Sequence, residues 1–128
     1  MPNSDDKRRI AETFLLGLRT RNWTLLRTLM TDDIIWTLPG QSRISGEARG
    51  VDAVIERAQI IVSYGLTFNL NHILEGLGGL ALSLHNTAER QGHALDEHLA
   101  TVCQLREDRI SSIDTYLSDV DMVNAFFV

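Results

Sequence analysis

Apolar residues in the first half of this chain recur mostly every three or four positions; in the second half they recur every second one. Ser4, Asp5 and Asp6 offer a cap and negative charge at a helix start. Ile10, Phe14 and Leu18 then follow at four-residue spacing with Ala11 and Leu15 beside them, which is one face of a helix. Asn22 can cap a second, shorter helix with Leu25, Leu26, Leu29 and Met30 inward. Ile34, Trp36 and Leu38 alternate until Pro39-Gly40 stops them, the signature of a strand. "QSRISGEARG" reads as a loop. Val51, Val54, Ile55, Ala58, Ile61 and Val62 share one face of a third helix. After Gly65 the pattern predicts four strands, over 66–75, 80–90, 93–105 and 109–119, separated by "GLGG", "QG" and "ED". Helices gathered ahead of a strand meander predict an α+β fold, with an antiparallel sheet covered by helices on one face.

The two later turns assign side chains to faces. With Gln91-Gly92 as a two-residue hairpin turn, His85 faces His98, Asn86 faces Glu97 and Leu84 faces Leu99. Cross-strand partners share a face. Leu82, Leu84, Asn86 and Ala88 therefore join Leu95, Glu97, Leu99, Thr101 and Cys103 on the core side. His85 and His98 point away from it. With Glu107-Asp108 as the next turn, Leu105 pairs with Ile110, Thr101 with Asp114 and Leu99 with Tyr116, so Asp114 and Tyr116 also face the core. A β-bulge or a three-residue turn reverses that last phase.

Composition narrows the function. A chain of 128 residues is expected to form one domain, 1–128, with a real core. Apolar content of 44% and charged content of 23% are ordinary for a soluble protein. A net charge of −5 disfavours nucleic acid and anionic membrane as partners. "MPNSDDKRRI" has no apolar signal core, and no apolar run approaches the roughly 18 residues of a membrane span. Cys103 is the single cysteine, which excludes an intrachain disulfide and fits a reducing cytoplasm. The four histidines and the acids around them match no metal signature along the chain. "GLGG" joins two strands instead of opening a helix, so it is no nucleotide loop.

Two stretches carry a resemblance. "RNWTLLRTLMTDDIIWTLPGQSRISGEARGVDAVIE" holds an acidic helix end, a strand with Trp, "PG", and "G…G" before a helix. "TAERQGHALDEHLATVCQLREDRISSIDTYLSD" holds two strands, a tight turn, and an Ile leading to "Y" near an acid. Over nearly its whole length the chain resembles the nuclear transport factor 2-like superfamily, and within it the SnoaL-like branch of polyketide cyclases and ketosteroid isomerase-like proteins. The resemblance implies a cone-shaped, curved antiparallel sheet wrapped around the N-terminal helices, a cystatin-like α+β roll. It implies a homodimer through the outer sheet face. The branch's cyclases place a His on the second-to-last strand and an Asp on the last. The matching position on the first is Thr101. On the second it is Asp114, or Thr115 if the register slips by one.

Glu97 beside Asn86 is a candidate acid/base in an apolar pocket, or else a solvated group at the open rim. Asp114 is the other candidate base. Tyr116, Asn86 and Thr101 are candidate donors to a developing enolate oxygen. Trp36, Leu99 and an inward His72 are candidate ligand contacts. These residues predict an enzyme with proton chemistry next to a carbonyl, an isomerase or an aldol-type cyclase. Its substrate would be hydrophobic and possibly polycyclic, and no metal or cofactor is needed. The alternatives are a noncatalytic binder of small hydrophobic molecules, and an interaction domain using the outer sheet face and the tail "MVNAFFV". The outer face is expected to hold Ala100, Val102, Ile113 and Leu117 among polar residues. The apolar tail must be covered either by the pocket mouth or by a mate.

Overall fold

Helix α1 spans Ser4–Thr20 in the computed structural model, which describes residues 2–128. Its cap lies one residue earlier than expected. Asn3 Oδ1 accepts from the Asp6 N–H at 2.8 Å and Asp6 Oδ2 accepts from the Asn3 N–H at 3.1 Å, a reciprocal box that satisfies two otherwise free donors. Ile10, Ala11, Phe14, Leu15 and Leu18 are all buried, as the spacing predicts. Helix α2 (Trp23–Thr28) is capped by Asn22 and stops short of Met30, which opens strand β1 (Met30–Leu38). Helix α3 (Val51–Ser63) buries the whole apolar stripe read from the sequence.

Between them a four-residue strand, β2 (Gly46–Arg49), pairs antiparallel with β1. Along the sequence this stretch reads as loop, because four residues are too few to show an alternation. Strands β3 (Thr67–Glu75), β4 (Gly79–Arg90), β5 (His93–Arg106) and β6 (Arg109–Leu117) follow, and a seven-residue helix α4 (Val120–Phe126) closes the order. The six strands form one curved, unclosed sheet in the order β2-β1-β6-β5-β4-β3. It is mixed, not purely antiparallel: β1 lies parallel to β6. The expected meander is antiparallel throughout; a strand brought in from far along the chain has no turn to fix its direction.

The β4–β5 hairpin has the predicted register over its full length, with Asn86 opposite Glu97 and His85 opposite His98. Gln91 and Gly92 sit at φ 52° and 81°, the two left-handed positions that a tight turn of this hand requires. The β5–β6 turn is also as predicted, with Leu105 opposite Ile110. Beyond it Gln104 pairs with Ser112, so Ser111 is an extra residue and the phase of β6 flips. Asp114 and Tyr116 therefore lie on the outer face and are exposed, while Ile113, Thr115 and Leu117 face in. A second irregularity, between Leu70 and His72, does the same to β3 and turns His72 out to solvent.

The core lies between the inner sheet face and helices α1 and α3. The apolar tail folds over its own chain. Val123, Phe126 and Phe127 are buried, and the two Phe rings pack with Tyr64 at centroid separations of 5.9 and 4.9 Å. Among the described residues, no helix is long and apolar enough to cross a membrane.

Candidate functional site

Inward residues of β4, β5 and β6, together with Trp36 of β1, Phe14 and Leu18 of α1, and Val123 and Phe127 at the tail, enclose an apolar cavity. Its closed volume is small, about 60 Å³. That is well below the roughly 300–1,000 Å³ of drug-sized ligand pockets, so only a small guest fits without the wall giving way. Four polar side chains interrupt the wall: Asn86, Glu97, Thr101 and Thr115. The hairpin puts Asn86 beside Glu97, and the shifted β6 puts Thr115 beside Thr101.

Glu97 is only 2% exposed, so it is not a rim group in water. Its two oxygens have different surroundings. Oε1 accepts from the Ser118 backbone N–H at 2.6 Å, the Ser118 hydroxyl at 3.0 Å and the Asp119 N–H at 3.1 Å. This works because β6 ends at Leu117 while β5 still runs on beside it, so the free N–H groups of the turn into α4 meet the carboxylate. Ser118 Oγ in turn accepts from the His98 N–H at 3.1 Å. Oε2 has no hydrogen-bond partner, and neither has Asn86 Oδ1 on the facing strand. A buried acceptor without a donor costs free energy of order 1–3 kcal/mol. Two such acceptors on adjacent strands of an apolar cavity are suited to a guest that brings O–H or N–H groups.

Trp36 donates from Nε1 to Thr115 Oγ1 at 2.8 Å. That uses a lone pair of the hydroxyl and leaves its proton free for another acceptor. Behind the indole, Arg57 is buried without a carboxylate. It donates to Trp36 O at 2.9 Å and Ser45 O at 3.2 Å, and its guanidinium lies 5.4 Å from the Trp36 ring centroid. Burial alone pushes its pKa down. Arg57 ties α3 to β1 and to the loop before β2, and so fixes the wall that carries Trp36.

Of the predicted site residues, the structure brings Glu97, Asn86, Thr101, Leu99 and Trp36 together in the cavity. It does not bring in Asp114, Tyr116 or His72. Asp114 accepts from the Thr37 hydroxyl at 2.8 Å on the outer face. The neighbouring Asp114 carboxylate raises the Tyr116 phenol, through a hydrogen bond first and charge second. The sequence reading missed Arg57, although it lies three residues after Val54 and four before Ile61, on the buried stripe. It missed Ser118 as well, for which no pattern along the chain gives a signal. Among the described residues, the cavity wall offers one carboxylate, one amide and two hydroxyls, and no trio of metal ligands.

No protein-family model matches the chain, and no curated protein does. Solved structures do. A protein of unknown function with a cystatin-like fold from Xanthomonas campestris superposes with a TM-score of 0.84 at 20% identity, over 94% of this chain and 97% of the other. An NTF2-like protein from Burkholderia xenovorans LB400 matches with a TM-score of 0.80 at 16% identity over 100% of both chains. A proposed isomerase from Rhodopseudomonas palustris matches with a TM-score of 0.74 at 19% identity over 96% of each chain. At such identities the likeness speaks for architecture, and the architecture of this chain is the NTF2-like, cystatin-like α+β fold.

Proposed function

We propose that the cavity binds a small, largely apolar carbonyl compound and that Glu97 moves a proton on it. The observation that carries this reading is the asymmetry of the Glu97 carboxylate. Three donors hold Oε1 in place, and Oε2, buried and unpartnered, is left to act. A base needs both a fixed position and a free lone pair. Oε2 takes a proton from the carbon next to the carbonyl, and electron density moves onto the carbonyl oxygen. The Thr115 hydroxyl, which accepts from Trp36 and keeps its own proton to give, and the Thr101 hydroxyl are the donors suited to that oxygen. With Asp114 outside, Glu97 is the one carboxylate lining the cavity. The same group then returns the proton at another carbon, which favours isomerisation over a two-acid cyclisation. The fold of a proposed isomerase is compatible with that choice.

The test is α-proton exchange in D₂O. Enolisable ketones are screened by NMR against the protein and against Glu97→Gln, whose amide oxygen can still accept from Ser118 and Asp119. Glu97→Gln is expected to keep its melting temperature and ligand affinity and to lose exchange by ~10²–10⁴-fold, the usual contribution of a general base. An unchanged rate removes Glu97 from the chemistry. The second reading, a noncatalytic binder, rests on the solitary acid. It stands if ligands bind and neither protein exchanges their protons.

A further inference from the structure

The outer face of the β4–β5 hairpin carries a constellation that the pocket does not use. His85 and His98 are cross-strand partners whose rings stack, with centroids 4.2 Å apart and planes within 9°. Asp96 lies two residues before His98 on the same face, diagonal to His85, and its Oδ1 is hydrogen-bonded to His85 Nε2. One ligand atom from each of the three lies within 4.8 Å of the other two.

We propose that His85, Asp96 and His98 form a binding site for a divalent transition-metal ion of the zinc, cobalt or copper type. Two imidazole nitrogens and one carboxylate oxygen are the donor set such ions prefer, whereas magnesium and calcium ask for oxygens. A tetrahedral ion with bonds of about 2.1 Å holds its ligand atoms about 3.4 Å apart. The hydrogen-bonded His85–Asp96 pair must part slightly to admit the ion, and His98 must close on it. Half-exposed side chains reach that by rotation about χ angles, because His85 is 32% and Asp96 69% exposed. The backbone beneath them is stiff, since both strands are paired along this stretch. No arginine or lysine pairs with Asp96 among the described residues, so a cation would displace no existing ion pair with those side chains. Three protein ligands leave a fourth position to water or an outside donor. The set is invisible along the chain because it is assembled across the hairpin, as one His on β4 and an Asp-x-His on β5.

Tag-free, chelator-treated protein is titrated with Zn²⁺ by calorimetry and with Co²⁺ by visible absorption. One ion per chain is expected, and Cu²⁺ in the same site should show electron-spin coupling to two imidazole nitrogens. His98→Ala and Asp96→Asn, each checked for an unchanged circular dichroism spectrum, should weaken binding by ~10-fold or more, at least the loss seen when a ligand's supporting partner is removed. His93→Ala, at the exposed end of the hairpin, should bind as the parent does. Glu97→Gln should also bind as the parent does, which separates this site from the pocket. Absence of saturable binding overturns the proposal, as does equal binding by His98→Ala and Asp96→Asn.

Discussion

Two reactive groups of β5 show how enclosure decides what a side chain can do. Cys103 is fully buried, and burial pushes its thiol up to about 12. The thiolate is the reactive form, so a raised pKa means protection at neutral pH. In the native protein Cys103 should not react with an aromatic disulfide reagent at pH 8, and it should react at once when the chain is unfolded in guanidinium. A native thiol titrating at the rate of a free one would contradict the enclosure. Glu97 is almost as buried, but it has three donors on one oxygen and a cavity beside it. At nearly equal depth, the two differ in their polar neighbourhood: Glu97 borders the cavity and Cys103 does not.

At the scale of elements, the start of β4 is where the sheet has least room. A Cβ on Gly79 would sit 2.0 Å from the Cys103 carbonyl oxygen and 3.1 Å from its carbon, and both are backbone atoms of the partner strand. Gly79→Ala should therefore destabilise the fold by at least about 1–3 kcal/mol, the ordinary penalty for overpacking. Gly76→Ala, where the nearest atom is 3.7 Å away, should cost little. Denaturant midpoints of the two variants decide it. The elements also show where the sequence was readable. The β4–β5 register followed from one turn, Gln91-Gly92, and from strict alternation on both sides. The two β-bulges broke that alternation, and each leaves the same trace. Leu70 and Ile73 are three residues apart, as are Ile110 and Ile113, and both members of each pair face in only if one residue is inserted between them. Reading Ile110 and Ile113 as a pair would have placed Thr115 in the cavity and Asp114 outside. The parallel pairing of β1 with β6 and the clamp of Ser118 on Glu97 leave no such trace, because both join distant segments.

For the whole molecule, the open question is what meets the outer face of the sheet. Ile113 and Leu117 are inside, so of the apolar residues expected there Ala100 and Val102 remain, joined by Leu74 and the Tyr116 ring, 54% and 59% exposed. The tail needs no mate, since Val123, Phe126 and Phe127 are covered by their own chain. A two-fold pairing of copies through this mixed face remains our expectation, with roughly 1,200–2,000 Å² of total buried surface as in stable interfaces. Light scattering at micromolar concentration, with chelator present so that no metal bridges the copies, should give twice the chain mass. A monomer mass would leave the outer face to solvent.

The bond from Trp36 to Thr115 has an optical consequence. The indole lines the cavity, with its N–H held by a wall hydroxyl and a cation behind its ring. Trp23, the other indole, is half-buried on α2 and lines no part of the cavity. Trp23→Phe would leave a single indole emitter, in the cavity wall. Any guest that enters changes the polarity around that emitter, so the emission is a built-in gauge of occupancy that needs no added dye.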